Sequence, residues 1–290
     1  MTQKTTLTLG HSPDPDDAFL FYGITTKKVR LGSITFEHVL QDIETLNQRA
    51  LKEELDITAV SLHAYAFITQ NYYLLPYGTS MGDQYGPILV ARRPLTLDQL
   101  TKVKIASPGP KTTAQLVLSL CLSSPKLENV EFIPFDQILD AVSQGRVEAG
   151  MLIHEGQLTF GQKGLCKVLD LGSWWNEKTG LPLPLGVNVI HRRLGNETIQ
   201  QFAKILRRSI QYAMEHRSDA LQYAMHFARD LEIRLTDRFV SMYVNDYAQD
   251  LGTKGLQAIE RLFTEAKTMG LIPPEAAISF IEEEKREITQ

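Results

Sequence analysis

The sequence has 290 residues, of which 43% are hydrophobic and 22% are charged, and its formal net charge is −4. This is the composition of an ordinary globular protein, and the lack of a basic cluster argues against nucleic acid as a partner. The sequence has neither an apolar run of membrane-spanning length nor the apolar segment of a secretory signal near its first residue. We therefore expect a cytoplasmic protein without membrane insertion.

The two cysteines, Cys121 and Cys166, give little reason to expect disulfide or metal chemistry. Cys121 falls in an apolar helical pattern and Cys166 lies beside a predicted strand, so both are predicted to be reduced packing residues. Cysteine and histidine are not clustered with the spacing of a zinc site, and we predict no metal.

The first predicted unit is a strand over residues 5–9, followed by a turn and a helix. Residues 14–17, with the sequence DPDD, suit the start of that helix, because aspartate caps helices and favours their positive end, and proline fits the first helical position. His11 and Ser12 lie on the turn above the carboxyl end of the strand, where open α/β sheets bind ligands. Both are candidate substrate-binding residues, and a purely structural role stays open for each.

The second junction of this type follows the strand predicted for residues 56–61. Ser61 stands at the carboxyl end of that strand, directly before a short helix. His63, in the helix, could contact a ligand, or it could be a histidine whose nitrogens bond within the protein. Ser61 is therefore the candidate binding residue of this junction.

The third junction is the turn 107–113, with the sequence SPGPKTT, between a strand and a strongly apolar helix. Unpaired backbone N–H groups at the helix start, together with the hydroxyls of Thr112 and Thr113, suit a carboxylate or phosphate group. The glycine spacing is not that of a P-loop. An ordinary capped helix remains the alternative.

The fourth junction is the segment 150–156, GMLIHEG, in which an apolar strand stops at His154 and Glu155. Glycines on both sides let the backbone turn sharply there, and a continuous apolar run suits a strand buried on both faces. His154 is therefore either a base at the mouth of a cleft or a strand-end residue bonded to a neighbour.

Strands alternate with helices along the chain, which predicts an α/β protein with mostly parallel sheets. The pattern restarts near residue 92 and returns near residue 188. We therefore predict two lobes, 1–91 with 189–290 and 92–188, with C-terminal helices covering the first lobe and a ligand cleft between the lobes. Four strand-end turns then point to the cleft, which favours His154 as its base: His11–Ser12, Ser61, Thr112–Thr113 and His154–Glu155.

Longer motifs along almost the whole chain resemble one family. They are GHSPDPDDAFLFYG, QDIETLN, SPGPKTTAQ, GMLIHEGQLTF and LGSWWNEKTGLPLPLG. Together they closely resemble the 1,4-dihydroxy-6-naphthoate synthases of menaquinone biosynthesis by the futalosine route. The resemblance implies a periplasmic-binding-protein type II fold. It also implies cyclic dehypoxanthinylfutalosine as the small-molecule substrate, and 1,4-dihydroxy-6-naphthoate and dihydroxyacetone as products.

By position, the resemblance also assigns roles to residues. His154 matches the proton acceptor of the family. The matching binding residues are Ala59, Val60, Ser61, Thr113 and Ala114. The implied mechanism is removal of a proton from a sugar hydroxyl by a neutral histidine, followed by retro-aldol-like carbon–carbon cleavage and aromatisation of the ring; it requires no metal or organic cofactor. His11, Asp14 and Lys111 receive no definite role, and the oligomeric state is not fixed by the sequence.

Other functions share the predicted fold. The first is a solute-binding protein without catalysis, against which the missing secretory signal argues. The second is the chorismate dehydratase of the same pathway, which the first turn and the LIHEGQ run fit less well. A regulatory domain is the third, but no basic helix-turn-helix is visible.

Overall fold

The computed structural model describes residues 5–229 and 231–281. The strands of this part of the chain are β1 (Thr5–His11), β2 (Ile34–Leu40), β3 (Ile57–Ser61), β4 (Tyr72–Leu74), β5 (Ser80–Gly82), β6 (Ile88–Ala91), β7 (Ile105–Ser107), β8 (Val130–Phe132), β9 (Ala149–Leu152), β10 (Cys166–Asp170) and β11 (Leu183–His191). They form two separate sheets. The first has the order β2-β1-β3-β11-β4, with β5 also paired to β11, and the second has the order β10-β6-β9-β7-β8.

Helices connect and cover both sheets. They are α1 (Pro15–Leu20), α2 (Tyr22–Thr25), α3 (Ile43–Leu51), α4 (Leu62–Tyr65), α5 (Leu97–Leu100), α6 (Thr113–Cys121), α7 (Phe135–Ser143), α8 (Gly156–Thr159), α9 (Leu171–Thr179), α10 (Gly195–Glu215), α11 (Arg217–Ala224), α12 (Ile233–Tyr243), α13 (Asp246–Gln249) and α14 (Gly252–Thr268). Short 3-10 turns lie at Phe160–Lys163, Arg192–Leu194 and Met225–Phe227. The α/β class predicted from the alternation is confirmed.

Both sheets are mixed, so the prediction of mostly parallel sheets is wrong. In the first sheet β1 pairs parallel with β2 and β3, whereas β11 pairs antiparallel with β3, β4 and β5. The second sheet combines the parallel pairs of β7 with the antiparallel pairs of β6. In the first sheet, the antiparallel pairing follows from the point at which β11 enters the sheet. Gly186, early in β11, pairs with Ser61 at the end of β3, so β11 starts where β3 stops.

Strand pairing also shows where the chain changes sheets. The predicted division places residues 88–91 in the first lobe, but β6 pairs with β9 and β10 of the second sheet. The first change of sheet therefore falls between β5 and β6. The return begins at Leu183, at the start of β11, rather than at residue 189. The exposed Arg92 and Arg93, which suggested a restart, follow the end of a second-sheet strand.

The C-terminal helices cover the first sheet and also reach the second. Helix α10 packs on α1 and α2, and its buried Phe202 belongs to the same core as Phe19 and Leu9. Helix α14 contacts both β11 of the first sheet and α6, the helix that follows β7 of the second. These helices thus cover the first sheet, as predicted, and α14 also joins the two halves of the molecule.

Candidate functional site

A cavity lies between the two sheets, with about 760 Å³ of space between protein atoms, part of it open to solvent. Its wall includes residues from the end of β3, the first half of β11, the start of α6 and the end of α12, together with Ile153, the residue that follows β9. The predicted binding residues that line it are Ser12, Ala59, Val60, Ser61, Thr112, Thr113 and Ala114. The structure thus brings together three of the four predicted strand-end turns.

Ser61 is oriented by a residue that the sequence analysis did not single out. The Ser61 backbone N–H donates to Asn47 Oδ1 at 2.8 Å, and Asn47 Nδ2 donates to Ser61 Oγ at 3.1 Å. Because Ser61 Oγ accepts a hydrogen bond there, its own hydroxyl hydrogen is available to a ligand in the cavity. A signal was present in the sequence, since Asn47 lies beside Leu46 on the apolar face of α3.

The start of α6 offers backbone donors rather than hydroxyls. Thr112 caps the helix by accepting from the Gln115 N–H and donates to the Gly109 carbonyl, while Thr113 Oγ1 donates to the Leu185 carbonyl at 2.6 Å. Both predicted anion-binding hydroxyls therefore already have partners. The N–H groups of the first helical turn, at Thr113 and Ala114, have no acceptor within a helix and suit a carboxylate.

His63 helps to hold this helix start and does not line the cavity. Its backbone N–H donates to Thr113 Oγ1, and its Nδ1 lies 3.2 Å from the Thr112 carbonyl oxygen. Burial, and then the charge of Lys111, lower the pKa of His63 to about 4. The neutral ring therefore donates from Nδ1, which is the structural alternative considered for this histidine.

His11 also lies outside the cavity wall, unlike its neighbour Ser12. The buried ring stacks on Phe21 with 4.7 Å between ring centroids, and its Nδ1 is 3.2 Å from the Ser12 carbonyl oxygen. Burial and the neighbouring His38 lower the pKa of His11 to about 4. A direct contact of His11 with a ligand in this cavity is therefore not supported by the structure.

His154 follows β9 and is buried beside the cavity, but its ring is turned toward the protein. Nε2 lies 3.1 Å from the Phe135 carbonyl oxygen, and the Gly156 N–H donates to Nδ1 at 3.0 Å. These partners assign the hydrogen to Nε2 and the lone pair to Nδ1. Ile153 lines the cavity, whereas the His154 ring packs edge-on against the Phe135 ring. Accepting a proton from a ligand therefore requires the ring to give up one of these bonds.

Three aspartates that the sequence analysis explained as helix-end residues line the cavity: Asp14, Asp16 and Asp17. Asp17 accepts a hydrogen bond from the Ser12 N–H at 2.7 Å. Burial is the main cause that raises the pKa of Asp17 to about 7, and burial followed by the charges of Asp17 and Asp14 raises that of Asp16 well above its usual value. A carboxyl group that keeps its proton near neutral pH can donate a hydrogen bond to a ligand hydroxyl.

We expect Asp16→Asn to make the protein more stable than the wild type at about pH 8, with the difference shrinking toward about pH 5. The folded state favours the protonated Asp16, whereas the unfolded chain ionises it at its usual low pKa. Wild-type stability is therefore lost as pH rises above the unfolded pKa, and asparagine removes this loss. Urea unfolding of both proteins at the two pH values measures the difference in the free energy of unfolding. Equal stability differences at the two pH values would contradict the raised pKa.

The C-terminal segment supplies two further contacts. Arg229 Nη1 lies 2.8 Å from Asp14 Oδ1 and 2.8 Å from Glu155 Oε1. Tyr243, at the end of α12, lines the cavity and donates from its hydroxyl to Gln157 Oε1 at 3.0 Å. From its sequence, this segment is expected only to cover the first lobe, because it contains no motif that points to the cavity.

Within residues 5–229 and 231–281, neither a metal-binding cluster nor a membrane-spanning helix is present. No group of three or more histidine, cysteine, aspartate or glutamate side chains in these ranges is placed to hold a metal ion. No helix in the same ranges has both the length and the apolar character needed to cross a membrane.

A protein-family profile described as menaquinone biosynthesis matches residues 7–268. The chain belongs to this menaquinone-biosynthesis family. It is 40% identical to the protein of Thermus thermophilus named 1,4-dihydroxy-6-naphthoate synthase, over 95% of this chain and 99% of that relative. The crystal structure of a protein from Archaeoglobus fulgidus is similar, with 43% identity, a TM-score of 0.87 and coverage of 92% of this chain and 98% of that one. The resemblance found in the sequence is confirmed.

More distant structures show how widely the fold of this menaquinone-biosynthesis protein is shared. The alkanesulfonate-binding protein of Xanthomonas axonopodis pv. citri, bound to MOPS, has a TM-score of 0.73 at 13% identity and covers 96% of this chain and 98% of its own. At this identity the likeness shows the fold alone. The predicted two-lobed periplasmic-binding-protein-like fold is confirmed.

Proposed function

We propose that this chain is a carbon–carbon lyase that converts cyclic dehypoxanthinylfutalosine to 1,4-dihydroxy-6-naphthoate and dihydroxyacetone. The observation that carries the proposal is the 40% identity, over nearly the full length of both chains, to the relative named for this product. A cavity between two sheets, lined by the binding residues predicted from the same family, supports it.

The cavity suggests an orientation for the substrate. The carboxylate of the substrate would meet the N–H groups of Thr113 and Ala114 and the hydroxyl of Ser61, which together provide donors to a negative charge. The hydroxyl groups of the sugar part would then lie toward Asp16 and Asp17, which line the cavity and whose pKa values are raised by burial. This arrangement places donors opposite the acceptors of the substrate at both ends.

We assign the proton transfer to His154. After the ring releases the Gly156 N–H, its Nδ1 lone pair removes the proton from a sugar hydroxyl. The electrons of that O–H bond form a carbonyl group as the neighbouring carbon–carbon bond breaks, and the electrons of the broken bond pass into the ring system, which becomes aromatic. A positioned base of this kind contributes about 10²–10⁴-fold to rate. The scheme uses no cofactor.

We further propose that the reaction takes place in the cytoplasm. Cys121 and Cys166 are both free thiols in the structure, and free thiols suit a reducing compartment. Cell fractionation followed by immunodetection of the protein would test the location, and recovery from the periplasmic fraction would contradict it.

Conversion of the substrate by the purified protein tests the function. We expect incubation with cyclic dehypoxanthinylfutalosine to release 1,4-dihydroxy-6-naphthoate, identified by its mass and by comparison with the authentic compound. Parallel incubation with chorismate tests the dehydratase of the same pathway. Consumption of chorismate instead, or saturable binding of the cyclic substrate without any product, would overturn the proposal in favour of one of the two alternatives.

A further inference from the structure

The residues around His154 are held by a side chain that lies far away in the sequence. We propose that Arg229 is a positioning residue for the proton acceptor, because its guanidinium group fixes Glu155 and Phe135, the two residues that pack against the His154 ring. The inference rests on the role of His154 in the proposed function. It adds a requirement that lies outside the motifs around the cavity.

The contacts of Arg229 surround the histidine without touching it. Nη1 lies 2.8 Å from Glu155 Oε1, and the guanidinium carbon is 4.8 Å from the centroid of the Phe135 ring. Phe135 in turn packs against the His154 ring at 5.0 Å between centroids, and its carbonyl oxygen is the partner of Nε2. One arginine thus contacts both Glu155 and Phe135, the two residues that pack against the ring.

Glu155 connects Arg229 to the chemistry of the ring. Its Oε2 lies 3.5 Å from His154 Nδ1, and its side chain is buried. Burial opposes the ionised form, but the contacts with His154 and Arg229 outweigh it and hold the pKa of Glu155 below its usual value. A carboxylate at this position stabilises the imidazolium that forms when Nδ1 takes a proton. Arg229 keeps that carboxylate in place and shares its charge.

The same arginine also contacts a residue of the first turn. Nη1 also lies 2.8 Å from Asp14 Oδ1, and Asp14 accepts a hydrogen bond from the Ser12 hydroxyl at 2.5 Å. Ser12 and Asp14 both line the cavity and follow β1 of the first sheet, whereas Glu155 follows β9 of the second. Arg229 therefore ties the first-sheet turn to the segment that carries the proton acceptor.

Helix α12 makes a second contact with the segment that carries His154. Arg229 precedes the helix and Tyr243 ends it, and the Tyr243 hydroxyl donates to Gln157. Glu155 and Gln157 flank Gly156, whose N–H occupies His154 Nδ1. Among the described residues, the charged groups around this ring are Glu155, Arg229 and, through its contact with Arg229, Asp14. In this group Arg229 is the single positive charge, and it balances two carboxylates.

Arg229→Met tests the proposal, with Arg217→Met as the matched control. Arg217 is the first residue of α11, pairs with Asp237 at 2.6 Å and lies over the Phe19 ring, and these contacts are away from the His154 segment. We expect Arg229→Met to lower kcat about 10- to 100-fold with KM changed less than about threefold, because small displacements of a catalytic group cost that much. Arg229→Lys should recover part of the lost kcat. Arg217→Met should keep the wild-type kcat and KM.

A chemical shift gives a readout that does not depend on turnover. The NMR signal of His154 Cε1–H, assigned by its absence in His154→Asn, should move in Arg229→Met and keep its wild-type position in Arg217→Met, because the Phe135 ring that packs against the imidazole loses its contact with Arg229. An unchanged signal in Arg229→Met, or a kcat loss that only follows a fall in Tm, overturns the inference. If His154→Asn is inactive while Arg229→Met is normal, this inference fails and the proposed function stands.

Discussion

Replacing His154 with asparagine is expected to reduce turnover of the cyclic substrate about 10²–10⁴-fold, the usual contribution of a positioned general base. Asparagine keeps a polar group close to the Phe135 carbonyl and the Gly156 N–H, so the loop after β9 should keep its conformation. The measurement is the rate of naphthoate formation at saturating substrate, together with thermal unfolding of the variant. KM should change little, because the ring lies beside the cavity wall.

His226→Asn is the matched control for this substitution. His226 is an exposed histidine whose ring packs edge-on near Tyr223, away from the cavity lining. We expect the control to keep wild-type turnover. If His154→Asn also keeps near wild-type turnover with an intact fold, the assignment of the proton acceptor is wrong, and the carboxyl groups of Asp16 and Asp17 become the next candidates because they line the cavity.

Replacing Ala114 with aspartate is expected to raise KM by about 100-fold or more. The cost of placing like charges together is several kcal/mol, and each 1.4 kcal/mol corresponds to a factor of about ten. Ala114 lines the cavity in the first turn of α6, where we place the carboxylate of the substrate. A negative side chain there would occupy the helix N–H groups and repel the substrate.

Ala114→Asn separates charge from size, since asparagine has nearly the shape of aspartate without its charge. We expect a much smaller rise in KM for this variant. An aspartate near the start of a helix also favours the helix, so a loss of substrate affinity is not expected to come with a loss of stability. Equal KM values for the two variants would contradict the proposed orientation, because the effect would then be steric.

Local patterns were sufficient to predict three of the junctions that form the cavity. Ser12, Ser61 and the Thr112–Ala114 turn each follow the carboxyl end of a strand, and β1, β3 and β7 do end toward the same space. The same rule was insufficient for His11, because the direction of a side chain on a turn depends on its neighbours. Phe21 and His38 hold that ring inside the first half of the molecule.

Side chains that act through distant partners were beyond sequence reasoning. Asn47 and Ser61 are close in sequence, and a polar residue on an apolar helix face could have been noticed. Arg229 offers no such signal, because an arginine between C-terminal helices has the same local pattern whether it faces solvent or an ion pair. Its contacts with Asp14 and Glu155 join segments that are far apart in the sequence.

The sequence by itself determined the α/β class, the family, and the strand-end turns that meet at the cavity, because these depend on local periodicity and on motifs contiguous in the chain. Only the tertiary structure decided the antiparallel direction of β11, the exclusion of the His11 ring, and the inward turn of the His154 ring toward Phe135. These depend on which distant groups come within hydrogen-bonding distance. The physical reason is that packing, and not local propensity, selects the partner of each polar side chain.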